Sequence, residues 1–171
     1  MTREIVVVGT SVANIASVLA ALRRAGGEPV VSLDPVQVAG AERVVLPGVG
    51  AFGAAMSALR GAGLAGVLAE RARAGRPLLA VCLGLQLLAE GSEESPGVEG
   101  LCVVPGIARR FPPLVRVPQL GWNGVRPAEG SRTIEAGSAY FANSYRLELI
   151  PPGWSGATAE YGGPFVAAIE R

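Results

Sequence analysis

The chain has 171 residues, 50% hydrophobic and 17% charged, a balance that suits one globular domain with a sizeable core and excludes a disordered chain. Fifteen Lys and Arg against fourteen Asp and Glu leave a formal charge of +1, which gives no electrostatic reason to expect nucleic acid or an anionic membrane as partner. There is no histidine, so the commonest metal ligand and general base are both missing, and two cysteines are too few for a disulfide framework, which fits a cytoplasmic chain.

From its start (MTREIVVVG) the chain enters a strand with no signal-peptide pattern. Ile5–Val8 is a β-branched apolar run ended by Gly9, and Asn14–Arg24 has helical spacing (Ile15, Val18, Leu19, Leu22) stopped by Gly26-Gly27. Pro29–Leu33 and Arg43–Leu46 are the second and third strands. Helices are predicted at Ala54–Leu59 and Leu64–Ala74, a fourth strand at Arg76–Val81, and a helix at Gly84–Glu90. Strands apolar throughout, alternating with helices, predict an α/β fold of three layers: a mostly parallel sheet with helices on both faces. After Gly91 the pattern changes. Short strands are predicted at Leu101–Val104, Leu114–Val117, Gly121–Val125, Ala139–Phe141 and Arg146–Leu149, separated by prolines. An antiparallel extension joined to the parallel sheet fits this half, and no linker or repeat divides residues 1–171.

Cys82 stands where the fourth strand meets its helix, with small residues two places before (Ala80) and two after (Gly84). A sharp strand-to-helix elbow needs such neighbours, because the backbone at the turn is crowded. The helix start brings free N–H groups near the sulfur, and Leu83 N–H is placed to serve an oxyanion. Two readings stay open, a buried structural cysteine and a nucleophile. Cys102 has no elbow around it and reads as structural.

Leu46-Pro47-Gly48-Val49-Gly50-Ala51-Phe52-Gly53 is a second strand-to-helix turn, and Gly48, Gly50 and Gly53 spell G-x-G-x-x-G. A dinucleotide-binding loop is one reading. Against it, the motif follows the third strand rather than the first, Pro47 precedes it, and Glu70 about twenty positions on lies in helical sequence. A tight turn accounts for it, as does a turn whose N–H groups face an oxyanion beside Cys82. Both turns would emerge at the C-terminal edge of a parallel sheet.

PGVGAF (47–52), CLGLQLL (82–88), GSEE (91–94), VPQLGWN (117–123), YFANSY (140–145) and YGGPF (161–165), in this order, resemble the class I glutamine amidotransferases. Within that class they are most similar to the glutaminase subunits of imidazole glycerol phosphate synthase. The resemblance implies that Cys82 is the nucleophile attacking the glutamine side-chain amide. It implies oxyanion donors at Val49 and Leu83 N–H, and glutamine-holding positions at Gly50, Gln86, Ser144 and Tyr145. Asn14, Trp122, Asn123 and Tyr140 match positions facing a barrel-shaped cyclase that consumes the ammonia in a heterodimer. On residue type alone, Trp122 and Tyr140 also fit core aromatics and Asn14 a helix N-cap. No metal or cofactor is implied.

The chain departs from the family at several points. Gly9–Ala13 replaces an Asp-Tyr-Gly type of turn, Ala80 stands where glycine is usual, and Gln119 and Asn143 occupy positions that are often histidine. The family's catalytic His and Glu follow YGGPF, whereas this sequence stops at Arg171 before such a stretch. The expectation is a single domain that is C-terminally incomplete, with a catalytically dead or truncated relative that only docks on the cyclase as the alternative.

Overall fold

The computed structural model describes residues 3–9 and 15–171. Its first half is a four-stranded parallel sheet in the order β2-β1-β3-β4, formed by Glu4–Val8, Glu28–Ser32, Val44–Gly48 and Leu78–Cys82. β1 and β3 are nearly continuous β-branched or apolar runs and lie at the centre, where both strand faces are screened from water. Val6, Val8, Val44 and Leu46 point to one face and share the main core with Phe52, Met56 and Leu59 of α3 (Phe52–Gly61) and Leu64 and Leu68 of α4 (Leu64–Arg73). The other face carries α1 (Ile15–Arg24), which packs on the β2 side and has no fully buried residue. Val31 crowds Gly9, with Ile15 of α1 in ordinary contact at 3.9 Å from where a Cβ would sit, and Val31 pairs with Val7, whose side chain alternates away from Val6 and Val8. On that face Leu79 and Val81 of β4 remain 55% and 38% exposed. The three-layer arrangement expected from the sequence is present, and among the described residues no single helix is long and apolar enough to cross a membrane.

A short helix α2 (Pro35–Gly40) fills what the sequence reading left unassigned between the second and third strands. Asp34 caps it, accepting from Val36 N–H at 2.9 Å, and Pro35 sits in its first turn, where a missing N–H costs nothing. The carbonyls near its C-terminal end converge on Arg71. That guanidinium, 2% exposed, donates to Val38, Ala41, Glu42 and Pro77 carbonyls at 2.8–3.1 Å, tying α2 and the start of β4 to α4. Burial pushes its pKa down from the ordinary value, with Arg76 nearby as the second cause, and the ring of carbonyl dipoles replaces the water it has lost.

The second half is antiparallel as expected, but it builds sheets of its own instead of extending the parallel one. β7 (Gln119–Pro127) and β8 (Gly137–Asn143) pair in full register, and β10 (Ser155–Glu160) and β11 (Pro164–Glu170) complete the order β11-β10-β7-β8. β5 (Gly91–Ser92), β6 (Ile107–Arg110) and β9 (Tyr145–Arg146) form a small mixed sheet. Phe111, Phe141 and Phe165 stack edge to face at centroid distances of 5.2 Å and organise a second, smaller core.

Two expected strands are absent, and a third, Arg146–Leu149, is reduced to Arg146 at the end of β9. Leu101–Val104 spends its N–H groups on α5 (Leu83–Leu87) and the residues after it: Leu101 donates to Leu87 O, Val103 and Val104 to Leu88 O, and Cys102 to Ala89 O. That diversion also ends α5 at Leu87, short of the predicted Glu90. Leu114–Val117 lies between Pro113 and Pro118, which carry no N–H for a ladder, and forms a turn with Leu114 92% exposed.

Candidate active site

β3 and β4 end level with each other, Gly48 paired with Cys82, and each strand leads directly toward a helix. Cys82 has φ 56° and ψ −114°, and among the described residues only Cys102 shares a positive φ without being glycine. Such a conformation costs an L residue about 1–3 kcal/mol, so it persists only where the surroundings enforce it. Here they do. A Cβ on Gly84 would lie 2.1 Å from Leu46 O, and one on Gly48 would lie 2.7 Å from Gly84 N. The two turns therefore touch backbone to backbone, and glycine at 48 and 84 is what permits it. The Cys82 thiol is exposed, which removes the reading of a buried structural cysteine.

The second turn presents Val49, 42% exposed, and Gly50, whose φ of 91° calls for glycine. The G-x-G-x-x-G spacing is thus used inside the protein: Gly48 against the elbow, Gly50 for its conformation, and Gly53 against Ser95, 3.0 Å from where a Cβ would sit. α3 begins without help from its own cap residue Ala51. Its free N–H groups are taken by residues 42 positions away: Phe52 N donates to Glu94 Oε2 at 2.7 Å and Gly53 N to Ser95 Oγ at 3.0 Å.

The third wall comes from the end of β8 and the start of β9. The Tyr145 carbonyl accepts from two side-chain amides, Asn143 Nδ2 at 3.0 Å and Gln86 Nε2 at 3.4 Å, which ties α5 to the antiparallel half. The walls enclose a cavity of about 200 Å³ lined by Val49, Gly50, Cys82, Leu83, Gln86, Glu94, Ala142, Asn143, Ser144 and Tyr145. The nucleophile, oxyanion and glutamine positions expected from the sequence all lie on it. Glu94, Ala142 and Asn143 join them on the cavity, from the GSEE and YFANSY stretches, without a signal in the sequence for that role.

The partner-facing positions separate. Trp122 and Tyr140 are cross-strand neighbours on the outer face of the β7–β8 pair, 75% and 57% exposed and packed edge to face with centroids 5.8 Å apart. Leu120, 63% exposed, lies beside them, so neither aromatic belongs to a core. Asn123 alternates to the other face, where Nδ2 donates to Glu160 O at 2.7 Å. Asn14 lies outside the described residues. Among the described residues no group of three or more Cys, Asp or Glu is arranged to hold a metal ion.

The chain is similar to known proteins along most of its length. The chain is 43% identical over 174 residues to the imidazole glycerol phosphate synthase subunit HisH of Symbiobacterium thermophilum, covering 98% of this chain and 81% of that one. It is 39% identical over 171 residues to the same subunit of Streptococcus gordonii, covering 97% and 82%. The chain belongs to the HisH family. A third relative, imidazole glycerol phosphate synthase hisHF of Arabidopsis thaliana, is 39% identical over 167 residues, which cover 92% of this chain but 28% of that one. No protein-family profile matches. Among solved structures a glutamine amidotransferase aligns with TM-score 0.77 at 18% identity over 98% of this chain and 84% of its own. The glutaminase domain of Trypanosoma brucei CTPS, with bound acivicin, aligns with TM-score 0.64 at 14% identity over 98% and 80%. At those identities the structures establish the shared fold, while the HisH relatives establish the family.

Proposed function

We propose that the chain is the glutaminase subunit of an imidazole glycerol phosphate synthase in histidine biosynthesis, hydrolysing glutamine to glutamate and ammonia. The observation that carries this reading is the exposed Cys82 thiol, held on a strained elbow and facing a cavity walled by a glycine turn and by amide-bearing side chains. In the first step Cys82 Sγ bonds to the carboxamide carbon of glutamine, and the carbonyl oxygen becomes an oxyanion served by Val49 and Leu83 N–H. Gly50, Gln86, Ser144 and Tyr145 hold the substrate. The carbon–nitrogen bond then breaks, and the nitrogen leaves as ammonia carrying the thiol proton. Water cleaves the resulting thioester to glutamate and restores the thiol. The proton transfers want an acid–base group, worth typically 10²–10⁴-fold in rate. None of the 171 residues is a histidine, so an imidazole for that task comes from outside them.

The ammonia would pass to a barrel-shaped cyclase bound in a heterodimer in the cytoplasm, with Trp122 and Tyr140 at the centre of the contact. Exposed aromatics of this kind are typical interface anchors. The Arabidopsis relative supports a partner, since this chain matches only 28% of a single polypeptide named as the synthase. A protein that docked without hydrolysing glutamine would gain nothing from a strained cysteine that opens onto a cavity beside a glycine turn, which disfavours that alternative.

Incubation with diazo-oxo-norleucine, a glutamine analogue that alkylates reactive cysteines, tests the assignment in the presence of the cyclase. The expected result is one equivalent of label on Cys82, abolished in Cys82→Ser and retained in Cys102→Ser. Absence of label on Cys82 with the cyclase bound would make the chain a docking protein only.

A further inference from the structure

β8 and β9 are separated by a single residue, Ser144, at which the chain leaves the four-stranded antiparallel sheet for the small mixed one. A break of this kind lies between two ladders, so its carbonyls need partners from elsewhere. Ser144 O accepts from Phe111 N at 3.1 Å. Tyr145 O accepts from the side-chain amides of Asn143 at 3.0 Å and Gln86 at 3.4 Å. A side chain that donates to the carbonyl two residues on closes a loop around the residue between them, here Ser144. Gln119, the cross-strand partner of Asn143, is 3% exposed, and its Oε1 and Asn143 Oδ1 are both buried without a partner among the described residues. The oxygen end of the Asn143 amide is therefore left unbonded, and the bond from Nδ2 to Tyr145 O is what fixes its orientation.

We infer that Asn143 is a positioning residue for the substrate wall of the cavity: its side-chain N–H fixes the Tyr145 carbonyl, and with it Ser144 and the amide of Gln86, where the three meet glutamine. This inference rests on the glutaminase reading, which gives those three positions to the substrate. Gln86 belongs to α5, directly after Cys82, and Tyr145 to the antiparallel half, so the carbonyl they share sets how far apart two sides of the cavity stand. Without Asn143, Tyr145 O keeps from these side chains only the 3.4 Å bond to Gln86, longer than an ordinary amide–carbonyl bond. The loss falls on substrate binding and spares the Cys82 elbow, which is built by Gly48 and Gly84.

The test follows labelling of Cys82 by diazo-oxo-norleucine at increasing concentration, with the cyclase bound, separating maximal rate from half-saturating concentration. Asn143→Leu and Asn143→Ala both remove the donor and are expected to raise the half-saturating concentration about ten-fold, with the maximal rate moving less than about two-fold. Asn143→His is expected to recover most of the affinity, because imidazole Nδ1 stands as many bonds from Cα as the Asn amide nitrogen and can donate to the same carbonyl. An unchanged half-saturating concentration in both donor-free variants overturns the inference. So does Asn143→His behaving like Asn143→Leu. A Gln86→Ala background separates positioning from direct contact: there Asn143→Leu should add less than about three-fold, since both side chains act through one carbonyl, whereas a further rise of about ten-fold marks an independent contact with glutamine and overturns the inference. Hydrogen exchange at Phe111 N–H, bonded to Ser144 O, is read without any label. Acceleration of about ten-fold in Asn143→Leu is expected, and unchanged exchange overturns the inference. If unmodified protein is not labelled while exchange responds, the glutaminase reading fails and the positioning of Ser144 and Tyr145 stands.

Discussion

The two cysteines make an instructive pair. Both are exposed and free, and both have the left-handed φ that only they, among described non-glycine residues, adopt. Each also has a glycine two positions away packed on backbone: Gly84 after Cys82 and Gly100 before Cys102, each with a Cβ position 2.1 Å from a carbonyl oxygen. Their surroundings then diverge. Cys82 ends a strand level with a second turn and opens onto the cavity. Cys102 sits in the segment that folds back onto the end of α5, its N–H spent on Ala89 O and its carbonyl on Arg73. Strain on a cysteine therefore does not mark a nucleophile; strain beside donors and an empty volume does.

Substituting the paired glycines is the strongest way to separate the two. Gly84→Ala and Gly100→Ala each drive a methyl group into a backbone oxygen, and each is expected to destabilise the fold by about 3 kcal/mol in denaturant unfolding. The difference lies in reactivity. Whatever fraction of Gly84→Ala folds should lose labelling of Cys82, while folded Gly100→Ala keeps it. Equal labelling of both variants would erase the distinction drawn here.

A smaller effect comes from relieving the strain itself. Cys82→Gly and Cys102→Gly should each raise stability by about 1 kcal/mol relative to the corresponding alanine variants, since glycine adopts positive φ without a Cβ penalty. A gain at Cys102 but none at Cys82 would mean that the elbow is not strained. The smallest effect is on titration. Partial burial, reinforced by Glu99 and Glu90 and opposed by Arg73, pushes the Cys102 thiol above the ordinary thiol range. In a Cys82→Ser background, alkylation by iodoacetamide should thus rise with pH later than for a free cysteine peptide. A midpoint at or below that of the peptide refutes the account.

The parallel half was readable because its signals are local. Gly9, Gly26-Gly27 and Pro47-Gly48 punctuate apolar runs, and Ala80 and Gly84 flank the cysteine at the spacing an elbow needs. Asp34-Pro35 is also a local signal for α2, an N-cap followed by a first-turn proline, but six residues are too few for a helical period to stand out. The misreadings lie where distant backbone decides. Leu101–Val104 is apolar enough for a strand, but the open carbonyls after α5 claim its N–H groups. β10 and β11 were not anticipated because Gly156, Ala157, Ala159, Ala167 and Ala168 are too small to show an alternating pattern. Glu94 and Asn143 face the cavity only because separate loops converge there, and spacing along the chain carries no trace of that.

Arg71 has a consequence for the molecule in solution. The chain's formal charge is +1, and at 2% exposure Arg71 holds one full unit of positive charge away from the solvent. Burial takes that charge out of contact with water but not out of the net charge, which stays close to zero at neutral pH. A molecule with a net charge of only +1 has little long-range repulsion to keep copies apart, so colloidal stability rests on the local mix of signs. Adding a few carboxylates far from the cavity should improve solubility at high concentration more than any change within the core.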